Sequence, residues 1–212
     1  MTTSSPTSSP TPVVPNHHAA YPGFAGIGGL VAGATMLVGS GAVARLAADV
    51  TAVTDADHVV DVGCGPGTAA REAARRGAQV TGIDPAPIML KLARTLTWRN
   101  RSISWSEGAA EALPLLDHSA TVVWSISTVH HWGDVDAGLA EAHRVLADEG
   151  RLLAIERRTR PGATGLASHG WTPAQADAFA ERCRGAGFTA VLVETCELRR
   201  RTLLAVHATK TG

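Results

Sequence analysis

Between His58 and Glu156 the chain alternates short β-branched runs with segments of helical spacing, and that alternation limits its fold more than any other feature. HVVDVG (58–63), QVTGID (79–84), ISWSEG (103–108), TVVWSIS (121–127) and RLLAIE (151–156) read as strands. Thr68 to Arg76, Pro87 to Asn100 and Val135 to Ala147 read as the helices between them. Strand, helix, strand at this pace requires parallel pairing through right-handed crossovers, with helices on both faces of the sheet. After Glu156 a helix opens at Thr172-Pro173, a cap and a first-turn proline. Two further runs follow, FTAVLVETCEL (188–198) and LLAVHAT (203–209), separated only by Arg199 to Thr202. So short a link cannot make a crossover and predicts an antiparallel hairpin. The expected fold is α/β: a doubly wound, seven-stranded, mostly parallel sheet closed by a C-terminal antiparallel hairpin.

The 212 residues suit one compact domain with an appendage, burying roughly 70 to 75% of the unfolded surface. Residues 1–15, MTTSSPTSSPTPVVP, carry no charge and little apolar bulk, and read as a disordered leader. No basic segment precedes the apolar stretch, which argues against a secretory signal. Ala19 to Ala44 lacks any charge and is long enough to cross a bilayer, and Gly29 and Gly33 form a GxxxG. Seven glycines dilute its hydropathy, so a helical cap over 16–52 is the expectation, with no stable membrane insertion. The domain proper is placed at 53–212. Nineteen basic and nineteen acidic side chains balance, and aromatics are 4% of the chain. Neither a phosphate-neutralising surface nor a base-stacking platform is available, so no nucleic-acid partner is expected. Cys64, Cys183 and Cys196 are scattered, which points to free thiols and a cytoplasmic location. A homodimer is compatible with the sequence but not dictated by it.

The site signal is DVGCGPG at 61–67, where the first strand meets the first helix. Glycines two apart allow a sharp turn and close approach of backbone to a ligand. Asp61 at the strand's end can accept hydrogen bonds from a cationic amine. Asp84 ends the second strand, and a carboxylate, having acceptors only, suits adjacent ribose hydroxyls rather than a 2′-phosphate. The bland readings are an ordinary tight turn for the loop and a helix N-cap for Asp84. Cys64 reads as a small filler, since no partner base accompanies it.

Residues 58–209 resemble the class I S-adenosylmethionine-dependent methyltransferases, in particular the small-molecule branch called methyltransferase type 11, which includes quinone-biosynthesis C-methyltransferases. The resemblance rests on four segments in order: VVDVGCGPG, VTGIDPAPIML, EGAAEALPLLDHSATVVWSISTVHHW and AEAHRVLADEGRLLAIE. It implies S-adenosylmethionine as cofactor. Gly63, Gly65 and Gly67 would cradle its methionine and ribose, Asp61 would receive its amino group directly or through water, and Asp84 would hold the ribose. Pro85 and Met89 would flank the adenine. Ala109 and Ala110 occupy a turn that in the family often carries an acid, so adenine recognition is left to backbone groups or Glu111. The backbone of Ser125 and Ile126 would meet the methionine end. Asp148-Glu149-Gly150 stands where relatives commonly have Lys-Pro-Gly-Gly, a surface-turn departure.

Methyl transfer from a sulfonium needs in-line approach, exclusion of water and removal of a proton where the acceptor carries one. The expected partner is a small organic methyl acceptor. His130 and His131 follow the fourth strand, with an unperturbed pKa near 6.5 that suits proton abstraction. Glu156 ends the fifth strand and could orient one imidazole or act as the base, while His17, His18 and Tyr21 could fold over the pocket. Solvated or capping histidines are the competing reading. No further Cys, His or acid at ligand spacing flanks the His130-His131 pair, so no metal is expected. Arg157, Arg158 and Arg160 and the Arg199 to Arg201 run are solvated turn charges or, more sharply, a grip for an acidic acceptor. The glycine-rich stretch suggests a lipophilic one. A nicotinamide-dependent oxidoreductase is the rival on the same fold, opposed by GxGxG in place of GxGxxG and by the terminal hairpin. A noncatalytic nucleotide-binding protein tethered through residues 19–44 is the rival from another class.

Overall fold

The computed structural model describes residues 13–19, 40–198 and 201–212. Seven strands, β1 (His58–Val62), β2 (Gln79–Asp84), β3 (Ile103–Glu107), β4 (Ala120–Ile126), β5 (Leu146–Arg157), β6 (Phe188–Leu198) and β7 (Arg201–Lys210), form one sheet in the order β3-β2-β1-β4-β5-β7-β6. The pairs from β3 through β5 are parallel, while β7 runs antiparallel to both β5 and β6. The expected hairpin is present, with β7 threaded between β5 and the edge strand β6.

The strands are apolar at successive positions because both faces of the sheet are covered. Val60, Val123, Leu152 and Val206 belong to one core, with Trp132, Leu139, Trp171 and Phe179. Their neighbours Val59, Val122, Leu153 and Ala205 belong to the other, with Trp124. Helices α4 (Val135–Val145) and α5 (Pro173–Gly185) bury Leu139 and Phe179 in the first core. Helix α1 (Gly41–Val50) and helix α2 (Thr68–Arg75) contribute Ala44, Ala47, Ala70 and Ala73 to the second, where small side chains let the backbones lie close. Helix α3 (Pro87–Leu96) packs on β2 and β3.

Two helix ends fall well short of the sequence reading. Helix α3 stops at Leu96, because Thr97 Oγ1 turns back to Ala93 O and also accepts from Trp105 Nε1. Helix α4 stops at Val145, because Leu146, fully buried, pairs with Ala120 and begins β5 early. Helix α5 opens as expected, on a reciprocal cap between Thr172 and Gln175.

At the N-terminus, residues 13–19 lie against the domain. Pro15 O accepts from Trp171 Nε1 (2.9 Å), Val14 O from Gln175 Nε2 (3.0 Å), and His18 N donates to His130 O (2.8 Å). Residues 1–12 of the stretch read as a leader, and residues 20–39 of the cap, including Tyr21, Gly29 and Gly33, lie outside the described residues. Arg199 and Arg200 do too. Among the described residues no helix is long and apolar enough to cross a membrane.

Candidate cofactor and acceptor site

The strands β1, β2 and β4 end side by side, and the glycine loop turns over their carboxyl edge. Gly63, Gly65 and Gly67 have φ of +70°, +51° and +77°, the left-handed region that an L side chain rarely adopts. A Cβ on Gly63 would come within 2.6 Å of Thr128 Cγ2, and one on Gly67 would overlap the Trp105 ring. A Cβ on Gly65 would meet nothing within 4 Å. The outer two glycines therefore serve close packing, whereas the middle one opens onto free space.

Asp84 organises that opening. Its Oδ2 accepts from Gly65 N and its Oδ1 from Ala86 N, both at 2.8 Å, so one carboxylate ties the glycine loop to the start of α3. Burial raises its pKa, against the pull of those two N–H donors. Asp61, almost entirely enclosed, accepts from Ala70 N at 3.1 Å. Its pKa is raised from 3.8 to about 7, chiefly by burial; the Ala70 N–H opposes the rise and the charge of Asp84 adds to it. Two carboxyl groups held short of solvent make this corner receptive to a cation. Cys64, between them, is buried and its thiol is pushed far up by the same causes, which rules out a thiolate nucleophile.

Met89 is buried and Pro85 exposed at the start of α3. Ala109 is exposed and Ala110 buried in the turn after β3, where Ala112 N donates to Ala109 O. Glu111 turns away from that role, its Oε1 accepting from Asp134 N at the start of α4. At the end of β4, Ser125 is fully buried and shares a 2.7 Å hydroxyl contact with Thr128, which donates to Val62 O. Ile126 is half-buried. Ser127 takes a φ of +60° and donates to Ile155 O, a reversal that brings Thr128 back against Gly63 of the glycine loop. Sequence reasoning missed Thr128, whose part is visible only through its contact with Gly63.

The 3₁₀ turn Val129–His131 then delivers both predicted histidines. His130 is 2% exposed, and its Nδ1 lies 2.9 Å from each oxygen of the enclosed Glu156 carboxylate. A neutral imidazole facing that carboxylate donates from Nδ1, which makes Nε2, buried without a hydrogen-bond partner among the described residues, the imine nitrogen. The His131 ring lies 4.2 Å from the His130 ring, centroid to centroid. The expectation that no further ligand lies near this pair rested on spacing along the chain, and folding overturns it. His18 arrives from the N-terminal segment and His169 from the connection after β5, so that one ring nitrogen from each of His18, His130, His131 and His169 lies within 4.8 Å of the others. Burial holds the pKa of His18 and of His131 down to about 4, the neighbouring imidazoles adding to the effect, and lowers that of His169 for the same reasons. These rings are neutral at pH 7. His17 stands aside, bonded to Ser168 O and Gln175.

Arg157 is drawn toward the loop before α5: Nε donates to His169 O and Nη2 to Leu166 O and Ala167 O. It braces the loop that carries His169. Arg158 and Arg160 are exposed.

Residues 60–154 match the sequence family described as a methyltransferase domain. A demethylmenaquinone methyltransferase of Tropheryma whipplei is 37% identical over 112 residues, which are 53% of this chain and 46% of that protein. The chain thus matches about half the length of such curated relatives. A chain of the complex between the Haloferax volcanii Trm112 methyltransferase activator and a methyltransferase superposes with a TM-score of 0.73 at 20% identity, covering 86% of this chain and 95% of that one. A SAM-dependent methyltransferase of Aquifex aeolicus superposes at 0.66 with 16% identity, over 78% of this chain and 88% of its own. Strand order and terminal hairpin agree with these structures: the chain has the class I methyltransferase, Rossmann-like fold, and its residues 60–154 are the segment similar to the methyltransferase family.

Proposed function

We propose that the chain is an enzyme that transfers a methyl group from S-adenosylmethionine to a small organic acceptor. The observation that carries this reading is the glycine loop, open at Gly65 and set between the buried carboxyl groups of Asp61 and Asp84. The fit to that cofactor is chemical. Asp61 offers a negative charge to an amino group, Asp84 keeps lone pairs for two ribose hydroxyls while holding the loop, and Met89 gives an apolar wall. When bound, S-adenosylmethionine supplies an electrophilic methyl on a sulfonium that already carries its charge.

On the acceptor side the chain's own residues orient, exclude water and hold a proton. Glu156 fixes the ring and tautomer of His130, so that Nε2 presents a lone pair able to take the proton of a hydroxyl, amine or carbon acid. His131 walls the same space. The backbone of Ser125 and Ile126 bounds the floor, and the N-terminal segment 13–19 shields it. The curated relative is a demethylmenaquinone methyltransferase, which favours a lipophilic acceptor here, and two of the three Arg157 nitrogens are turned to backbone carbonyls rather than toward an acid. Free thiols on all three cysteines favour the cytoplasm.

Calorimetry on the full chain tests the cofactor reading. Saturable binding of S-adenosylmethionine, no binding of NAD, and a weakened constant in Asp84→Ala are expected. A wild type that ignores S-adenosylmethionine refutes it. Transfer of a labelled methyl into a metabolite extract, repeated with His130→Ala and His131→Ala, tests the acceptor side, and full activity in both variants would remove the histidines from the chemistry.

A further inference from the structure

We propose that His18, His130, His131 and His169 form a binding site for a divalent first-row transition metal, with Zn2+ the best match and Glu156 as the outer partner that orients His130. Four nitrogen donors with no oxygen among them suit Zn2+, Cu2+ or Ni2+ and do not suit Mg2+ or Ca2+, which take oxygen ligands.

Three independent features of the cluster lead to a cation. The donor atoms already lie within 4.8 Å of one another. A tetrahedral ion with bonds of about 2.0 Å sets its ligands about 3.3 Å apart, so ring rotations of roughly 1.5 Å at the donor atoms would close the site. Second, the tautomers are prepared. The Glu156 carboxylate on Nδ1 leaves the lone pair of His130 on Nε2, the carboxylate–histidine arrangement that raises ligand basicity in metal sites. Ser168 Oγ donates to Gly165 O at 2.7 Å and therefore accepts from His18 Nε2 at 3.0 Å, which makes Nδ1 the imine nitrogen of His18. Third, His130 Nε2 is an enclosed acceptor with no hydrogen bond among the described residues, a state that costs stability and that a cation relieves.

The site would join parts of the chain far apart in sequence: the N-terminal segment through His18, the turn after β4 through His130 and His131, and the connection before α5 through His169. A bound ion would pin residues 13–19 across the ends of β4 and β5. It would also occupy His130 Nε2, so ion and acceptor proton exclude each other at that atom. The loaded chain is then the form with its N-terminal segment clamped and its proton acceptor blocked. The binding itself does not depend on the methyl-transfer reading.

The test uses untagged full chain freed of metal by chelation and titrated with Co2+, then with Zn2+. One equivalent of Co2+ should produce the visible absorption of a four-coordinate site, and Zn2+ should bleach it. His131→Ala and His169→Ala should each weaken Zn2+ binding more than tenfold, and Glu156→Gln about tenfold to a hundredfold. His17→Ala, outside the donor set, should bind as the wild type does. Circular dichroism of the metal-free variants separates lost ligands from lost fold. A wild type with no saturable site for one equivalent of either ion, or His131→Ala and His169→Ala chains that bind Zn2+ as tightly as the wild type, overturns the proposal. S-adenosylmethionine binding, measured on the same samples, reports separately on the cofactor site.

Discussion

Replacing Asp61 by asparagine should stabilise the fold and weaken its ligand site together, with a size set by the raised carboxyl pKa. The group moves from 3.8 to about 7 on folding, because burial, and secondarily the charge of Asp84, disfavour the carboxylate. A carboxyl raised in this way destabilises the folded chain as pH climbs from the unfolded pKa to the folded one, and the full cost is reached above the latter. At 1.36 kcal/mol per pH unit the cost is about 2 kcal/mol at pH 5.5 and about 4 kcal/mol at pH 8. Asparagine carries no charge to desolvate, and its Oδ1 can still accept the Ala70 N–H. In urea unfolding, Asp61→Asn should therefore gain about 2 kcal/mol more over wild type at pH 8 than at pH 5.5. Subtracting the variant's profile from the wild type's removes the histidines common to both. Calorimetry should show the opposite trend for S-adenosylmethionine: wild-type affinity rising with pH through about 7 as Asp61 ionises, and a weak, pH-flat response in the variant. Parallel stability profiles for the two proteins would refute the argument, since they would mean that Asp61 does not titrate between these limits.

Gly65→Ala meets no neighbour and should lower stability by only about 1 kcal/mol of left-handed strain while sharply weakening cofactor binding; Gly67→Ala adds a collision with Trp105 and should cost about 2 kcal/mol or more, both read by thermal unfolding and calorimetry. Asp84→Ala removes the acceptor of both Gly65 N and Ala86 N, and should weaken S-adenosylmethionine binding about tenfold to a hundredfold, at about 1.5–3 kcal/mol. Thr172→Ala deletes the reciprocal cap of α5 and should lower stability by about 1 kcal/mol in urea unfolding, with cofactor affinity unchanged.

The layered sheet could be read from the chain because its causes are local and repeated. Val59-Val60 in β1, Val122-Val123 in β4 and Leu152-Leu153 in β5 are apolar on both sides, as strands covered on two faces must be, and the two-residue spacing of Gly63, Gly65 and Gly67 records a turn condition that its own backbone imposes. Asp61 and Asp84 were visible for a related reason: each ends a strand, and parallel neighbours bring strand ends together. The helix limits at Leu96 and Val145 were not, because a Trp105 bond from another strand and the pairing of Leu146 with Ala120 decide them. The acceptor pole lies furthest from sequence logic. His130 and His131 mark themselves as a pair, but His18 and His169 reach them from remote segments, and Glu111 and Arg157 are drawn off to Asp134 N and to loop carbonyls. Periodicity and turn chemistry act between near neighbours and so leave a trace in the sequence. Which side chains meet across a hundred residues depends on how the packed elements close, and only the tertiary structure settles it.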